Sequence, residues 1–251
     1  MDKTTAINYY KDKEYKKAID AFSVILEHDE NDIEVLNTMG LSYMALEDLD
    51  NAEKYFLKAL NINPLQTELY INLADVYYKQ KLFAQATDLL QYGVAKCPDN
   101  TILRHYLARI YMEDTQLDLA IDELEAVLEK EPDNYDAYYD LGKVYFELGN
   151  YDSAIECFEN ILEYKDNNAW VYYFLGEAYE ANDEIDKALS NFLKATAVSN
   201  NFPMPYKKAA ILFMARNDKE DAIEYFEDYI NFGIPEEEEK QVKALISKLK
   251  G

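Results

Sequence analysis

Histidine and cysteine are the residue types best suited to acid–base, nucleophilic or metal chemistry, and this 251-residue chain holds two of each. Cys97 and Cys157 lie sixty positions apart, with no second Cys or His at the close spacing that a metal site uses. Two cysteines are also too few for a disulfide framework, so both are read as reduced thiols. His28 and His105 are far apart and have no nucleophile or ligand at helical spacing. The seven glycines form no Gly-rich phosphate loop. Carboxylates are abundant, but a run of charge along a helix reads as a solvated face. These residues predict no enzyme, no cofactor and no metal centre.

The charge balance then narrows the partners. Forty-nine acidic residues stand against 25 basic ones, a net charge of -24. A polyanion is repelled by phosphate backbones and anionic lipid, which argues against nucleic acid and membrane surfaces and favours a basic or apolar partner. The opening Met1-Asp2-Lys3-Thr4-Thr5 runs directly into a helical pattern without the apolar core of a signal peptide. No stretch approaches 18 uninterrupted apolar residues. The expectation is a soluble, cytoplasmic protein.

What positions the side chains is a repeat. Ala18, Ala52, Ala86, Ala120, Ala154, Ala188 and Ala222 recur every 34 residues. Four residues after each stands Phe22, Phe56, Leu90, Leu124, Phe158, Phe192 or Phe226. Nine before each stands Tyr9, Tyr43, Tyr77, Tyr111, Tyr145, Tyr179 or Phe213, and twelve before always a Gly or Ala. Pro64, Pro98 and Pro132 close three repeats in the same register. This pattern resembles the tetratricopeptide-repeat family across roughly residues 1–234. Departures are modest. Leu36, Tyr70, Arg104, Tyr138, Tyr172 and Tyr206 replace the family's Trp, and Asp166 and Asn200 replace two closing prolines. Those two turns are expected to close by side-chain hydrogen bonds instead of a fixed φ.

The fold class implied is all-α: a right-handed superhelical solenoid of seven helical hairpins with a C-terminal capping helix. The repeats run 1–32 (truncated), 33–66, 67–100, 101–134, 135–168, 169–202 and 203–234, and the cap spans 235–251. Small residues in helix A and Ala in helix B should let the helices of a hairpin approach closely. Tyr in A and Phe or Leu in B should fill the space between neighbouring units. The pairs Asp99-Asn100 and Asp133-Asn134 read as N-caps, and Gly149-Asn150 as a left-handed turn. Glu236–Glu239 followed by Val242, Leu245, Ile246 and Leu249 reads as a solvating cap helix, with a binding patch for a basic partner as the other reading.

In this family the A helices line a concave groove that takes extended or helical peptides, and the resemblance implies which residues face it here. Repeats two to four supply Asn37, Asn72, Tyr78, His105, Tyr106 and Arg109. Repeats five and six supply Tyr139, Lys143, Phe146, Trp170, Tyr173 and Phe174. Tyr and Trp are typical anchors of binding hot spots, so the implied function is a non-enzymatic protein-interaction scaffold. Two alternatives remain: a self-associating assembly module, and a targeting or regulatory domain of a larger enzyme. The family's clamp for chaperone C-terminal tails is not restored in any register, because Thr38, Glu68, Asn72, Ile102 and Tyr106 stand where its basic residues and asparagines would be.

Overall fold

The computed structural model describes residues 2–163 and 167–251. The described residues form fifteen α-helices and no strand. Two units can be delimited, Met1–Pro132 and Asp133–Gly251, and each is described by itself.

The first unit holds α1 (Lys3–Lys11), α2 (Tyr15–Leu26), α3 (Ile33–Ala45), α4 (Leu49–Ile62), α5 (Thr67–Lys79), α6 (Phe83–Lys96), α7 (Thr101–Glu113) and α8 (Leu117–Lys130). The second holds α9 (Tyr135–Glu147), α10 (Tyr151–Leu162), α11 (Ala169–Ala181), α12 (Ile185–Val198), α13 (Pro203–Ala215), α14 (Lys219–Asn231) and α15 (Glu236–Lys250). Within each unit successive helices pack pairwise, α1 on α2, α3 on α4, and so on to α13 on α14. Each even-numbered helix also packs on the next odd-numbered one of its unit, and α15 packs on α14.

The hairpins share one turn. Tyr9, Tyr43, Tyr77, Tyr111, Tyr145, Tyr179 and Phe213 each accept a backbone bond of 2.8–3.0 Å from the N–H five residues on. The residue before that donor has positive φ: Lys13, Glu47, Lys81, Thr115, Gly149, Asp183 and Asn217, at 58–75°. This is the Schellman ending, which satisfies carbonyls that the helix leaves open. Gly149 fits the expectation. The other six are side-chain-bearing residues held in a region that disfavours them.

N-caps share a register too, although Gln66 before α5 makes no side-chain cap. Asp32, Asn100, Asn134 and Asn168 each accept a backbone N–H from the first turn of their helix. Phe202 holds the same register before α13 and offers no cap, and Pro203 removes one of the donors that would need it. At Asn200 the expected side-chain closure comes from a neighbour: the Asn201 N–H donates to Ser199 Oγ at 3.5 Å. Asp166, the other position of that type, lies outside the described residues.

Packing corrects one expectation. The Phe of helix B does not only fill space between hairpins; it lies over the small residue of its own hairpin. A methyl group on Gly40, Gly142 or Gly176 would come within 2.6–2.8 Å of the ring of Phe56, Phe158 or Phe192. Where Ala stands instead, as at Ala74 and Ala108, the partner is Leu90 or Leu124. The Tyr of helix A does link neighbouring hairpins. Tyr77 Oη donates to Glu53 at 3.0 Å, Tyr179 Oη to Glu159 at 2.6 Å, and Gln91 Nε2 donates to Tyr111 Oη at 2.7 Å. Burial, then the bond to Glu53, pushes the Tyr77 phenol up to about 12.

Helix α15 buries Val242 and Ile246 in a cluster with Ala210, Phe226 and Tyr229. Glu238 accepts from Lys207 Nζ at 2.7 Å and from Tyr229 Oη at 2.8 Å. Lys240 and Lys243 pair with Glu236 and Glu239 one turn back. Three of the four glutamates thus have a partner within the chain.

Candidate functional site

The candidate residues fall on the odd-numbered helices and divide between the units. In the first unit, helices α3 and α5 are joined by amides: Asn72 Nδ2 donates to Asn37 Oδ1 at 2.8 Å, and Asn37 Nδ2 to Glu68 Oε1 at 3.1 Å. Asn37 is buried by this network, so it orders the face instead of being offered on it. Tyr78 stands edge-on to Phe83 with Lys81 over its ring at 5.2 Å, and Glu113, followed by burial, raises its phenol. Arg109 is exposed and lies over the half-buried Tyr106 ring at 5.9 Å. Burial raises the Asp75 carboxyl against the opposing pull of Arg109 and Lys79. His105 is half-buried on α7.

The second unit concentrates aromatic rings. Trp170, at the start of α11, is 53% exposed, yet its ring lies 4.1 Å from that of Phe202 and 6.2 Å, nearly parallel, from Phe174. Phe174 in turn stacks on Phe158 and meets Tyr139 edge-on at 5.6 Å. The rings therefore form a continuous tier from the buried Phe158 out to the exposed indole. Tyr173 does not share that exposure. At 8% exposed it sits against Phe192 and Phe202 in the core, where burial and then Glu177 push its phenol up to about 12. Its expected role as a groove anchor is corrected to that of a support. Phe146 turns to Tyr151 at 5.5 Å, away from this tier. Lys143 lies over Tyr139 at 5.8 Å.

Beside Trp170 opens a cleft of about 230 Å³, lined by Tyr135, Asp136, Tyr139, Ile161, Asn168 and Val171 as well as the indole itself. Ile161 and Val171 are buried and supply an apolar floor. Burial, with Asp140 adding to it, raises the Tyr139 phenol, so the ring is neutral at ordinary pH. Nearby, Lys208 is tied to Glu177 and to Glu180 at 3.0 Å. Burial opposes its charge, but those two carboxylates hold its pKa above the usual value.

Several members of this site were not foreseen, among them Phe202, Tyr135, Ile161, Asn168 and Val171. Phe202 backs the indole, and its signal was present: an aromatic in the register that elsewhere holds the polar Asp32, Gln66, Asn100, Asn134 and Asn168. Tyr135, the first residue of α9, carried no such signal. Among the described residues no three His, Cys, Asp or Glu side chains are grouped to hold a metal ion. Among them, too, no helix is long and apolar enough to cross a membrane.

Comparison with known proteins agrees with this architecture. Family models described as tetratricopeptide repeat match residues 33–65, 111–167 and 147–203, together about half the chain. A DnaJ protein P58IPK homolog from Arabidopsis thaliana is 36% identical over 72 residues, 28% of this chain, and the match takes in only 15% of that protein's length. A tetratricopeptide repeat protein from Parabacteroides merdae superposes with a TM-score of 0.68 at 15% identity, covering 99% of this chain and 97% of that one. The crystal structure of MamA gives a TM-score of 0.60 at 26% identity, over 66% of this chain and 91% of that one.

Proposed function

This chain belongs to the tetratricopeptide-repeat family, and from that premise we propose that it is a non-enzymatic protein-interaction scaffold whose second unit binds a partner peptide on the face formed by α9 and α11. The observation that carries the reading is Trp170. An indole 53% exposed to water gains little by staying there, yet this one is packed against Phe202 and Phe174. Large apolar area already fixed in place, at low rotamer cost, is what a binding hot spot needs. The adjacent cleft gives such an anchor a concave neighbour of side-chain size. In the first unit, Tyr106 with Arg109, and Asn72 held in place by the buried Asn37, are proposed to contribute polar contacts of lower weight.

The test is affinity capture from the native lysate with the intact protein, run in parallel with a Trp170→Ala, Tyr139→Ala variant. A partner retained by the wild type and lost by the variant supports the reading. A partner held equally by both would move the site to another surface. An elution volume that reports self-association, unaffected by the double substitution, would favour an assembly module instead.

A further inference from the structure

We propose that the cleft beside Trp170 receives an arginine side chain of the partner segment; this rests on the interaction reading above and names its chemistry. The cleft combines three aromatic walls, Tyr135, Tyr139 and Trp170, with one carboxylate, Asp136. Asp136 is exposed and enters no ion pair among the described residues. Aromatic faces attract a cation through their quadrupoles, and a carboxylate accepts two parallel N–H bonds from a guanidinium. Arginine is the side chain that uses both at once, being planar, always charged and weakly hydrated.

The alternatives fit the same walls less well. An anion would look for free backbone N–H groups at the starts of α9 and α11. Several of these are already taken, as Asn134 accepts from the Ala137 N–H at 3.0 Å and Asn168 from the Trp170 and Val171 N–H groups at 3.0 and 3.3 Å, and the Asp136 carboxylate in the lining would repel an anion. An aliphatic side chain would strip water from Asp136 and return no hydrogen bond. Volume suits one large side chain, since about 150 Å³ already accommodates a benzene and the cleft measures about 230 Å³. Of the chain's own cations, Lys208 is paired with Glu177 and Glu180, and Lys143 lies over the Tyr139 ring at 5.8 Å. The net charge of -24 adds long-range attraction for a basic segment.

The experiment titrates the intact protein with acetyl-Gly-Arg-Gly-amide and with its citrulline twin, which keeps the shape and loses the charge, following the emission of Trp170. The arginine peptide should shift the emission saturably and bind about tenfold more tightly than the citrulline peptide. Asp136→Asn should erase that difference without moving the melting midpoint. Equal affinity for the two peptides, or no saturable response to either, overturns the arginine assignment. The broader interaction reading is judged separately, by whether the captured partner still requires Trp170 and Tyr139.

Discussion

Gly176 and Phe192 are fitted to each other so closely that a methyl group on Gly176 would meet the Phe192 ring at 2.6 Å. Phe192 is fully buried, so its ring cannot swing into water to make room. Gly176→Ala should gain about 1 kcal/mol in helix propensity and lose about 1–3 kcal/mol to overpacking. A net loss is expected, read as a lower denaturant midpoint. Adding Phe192→Leu recreates the pairing of Ala74 with Leu90 and should make the two costs less than additive by about 1 kcal/mol. Ala6 with Phe22 and Ala210 with Phe226 pair an alanine with a phenylalanine in the terminal hairpins, so the cost is one of strain and not exclusion. Strict additivity would mean that the contact does not control the spacing of the hairpin.

Thr115 holds φ at 58°, where a β-branched side chain is least tolerated. Left-handed backbone costs an L-residue about 1–2 kcal/mol, and glycine gives back about 0.5–1 kcal/mol through its looser unfolded chain. Thr115→Gly should therefore raise stability by roughly 0.5–1 kcal/mol. Gly149→Ala, at the matching turn, should lower it by a similar amount. A Thr115→Gly melting midpoint at or below that of the wild type would contradict the strain argument.

These two sites also mark how far the sequence could be read. The 34-residue spacing of Ala with Phe or Leu carried the family resemblance, and that resemblance implied the helical hairpins. Gly149 announced its turn, since glycine favours positive φ. Lys13, Glu47, Lys81 and Thr115 announced nothing, as the hydrogen bonds of the Schellman ending impose their conformation. At the site, family resemblance brought Trp170, Tyr139 and Phe174 to one face. It could not separate the exposed Trp170 from the buried Tyr173, because both stand on the same stripe of α11 and only neighbouring side chains decide which is covered. Tyr173 lies against both Phe192 and Phe202, the latter the last residue of the same repeat.

The docking of α15 should depend on pH through Glu238. Hydrogen bonds from Lys207 and then Tyr229 hold its carboxyl below the usual glutamate value in the folded protein. A folded pKa below the unfolded one stabilises the carboxylate form, so the contribution is fully present above the unfolded value and is lost as pH falls through the folded one. Amide protection in α15 should therefore drop in the acid range ahead of protection in α12. Glu238→Gln should weaken α15 at neutral pH and flatten this acid dependence. Identical acid profiles for the variant and the wild type would remove Glu238 as the group responsible.

Trp170 and Tyr173 are near neighbours on α11, with ring centroids 6.4 Å apart, yet their substitutions should have opposite consequences. Tyr173 is buried against Phe192 and Phe202, so Tyr173→Ala leaves a cavity and should cost about 3–5 kcal/mol of stability. Any loss of partner binding in that variant follows from loosening of the support. Trp170 exposes about half its surface, and Trp170→Ala should leave the melting midpoint close to that of the wild type while weakening the captured partner by about 2 kcal/mol or more. Calorimetry on both variants, folding and binding measured on the same samples, separates the two effects. Were Trp170→Ala to lower stability as much as Tyr173→Ala with no change in affinity once folded, the indole would be a structural lid on Phe202. The face formed by α9 and α11 would then lose its anchor.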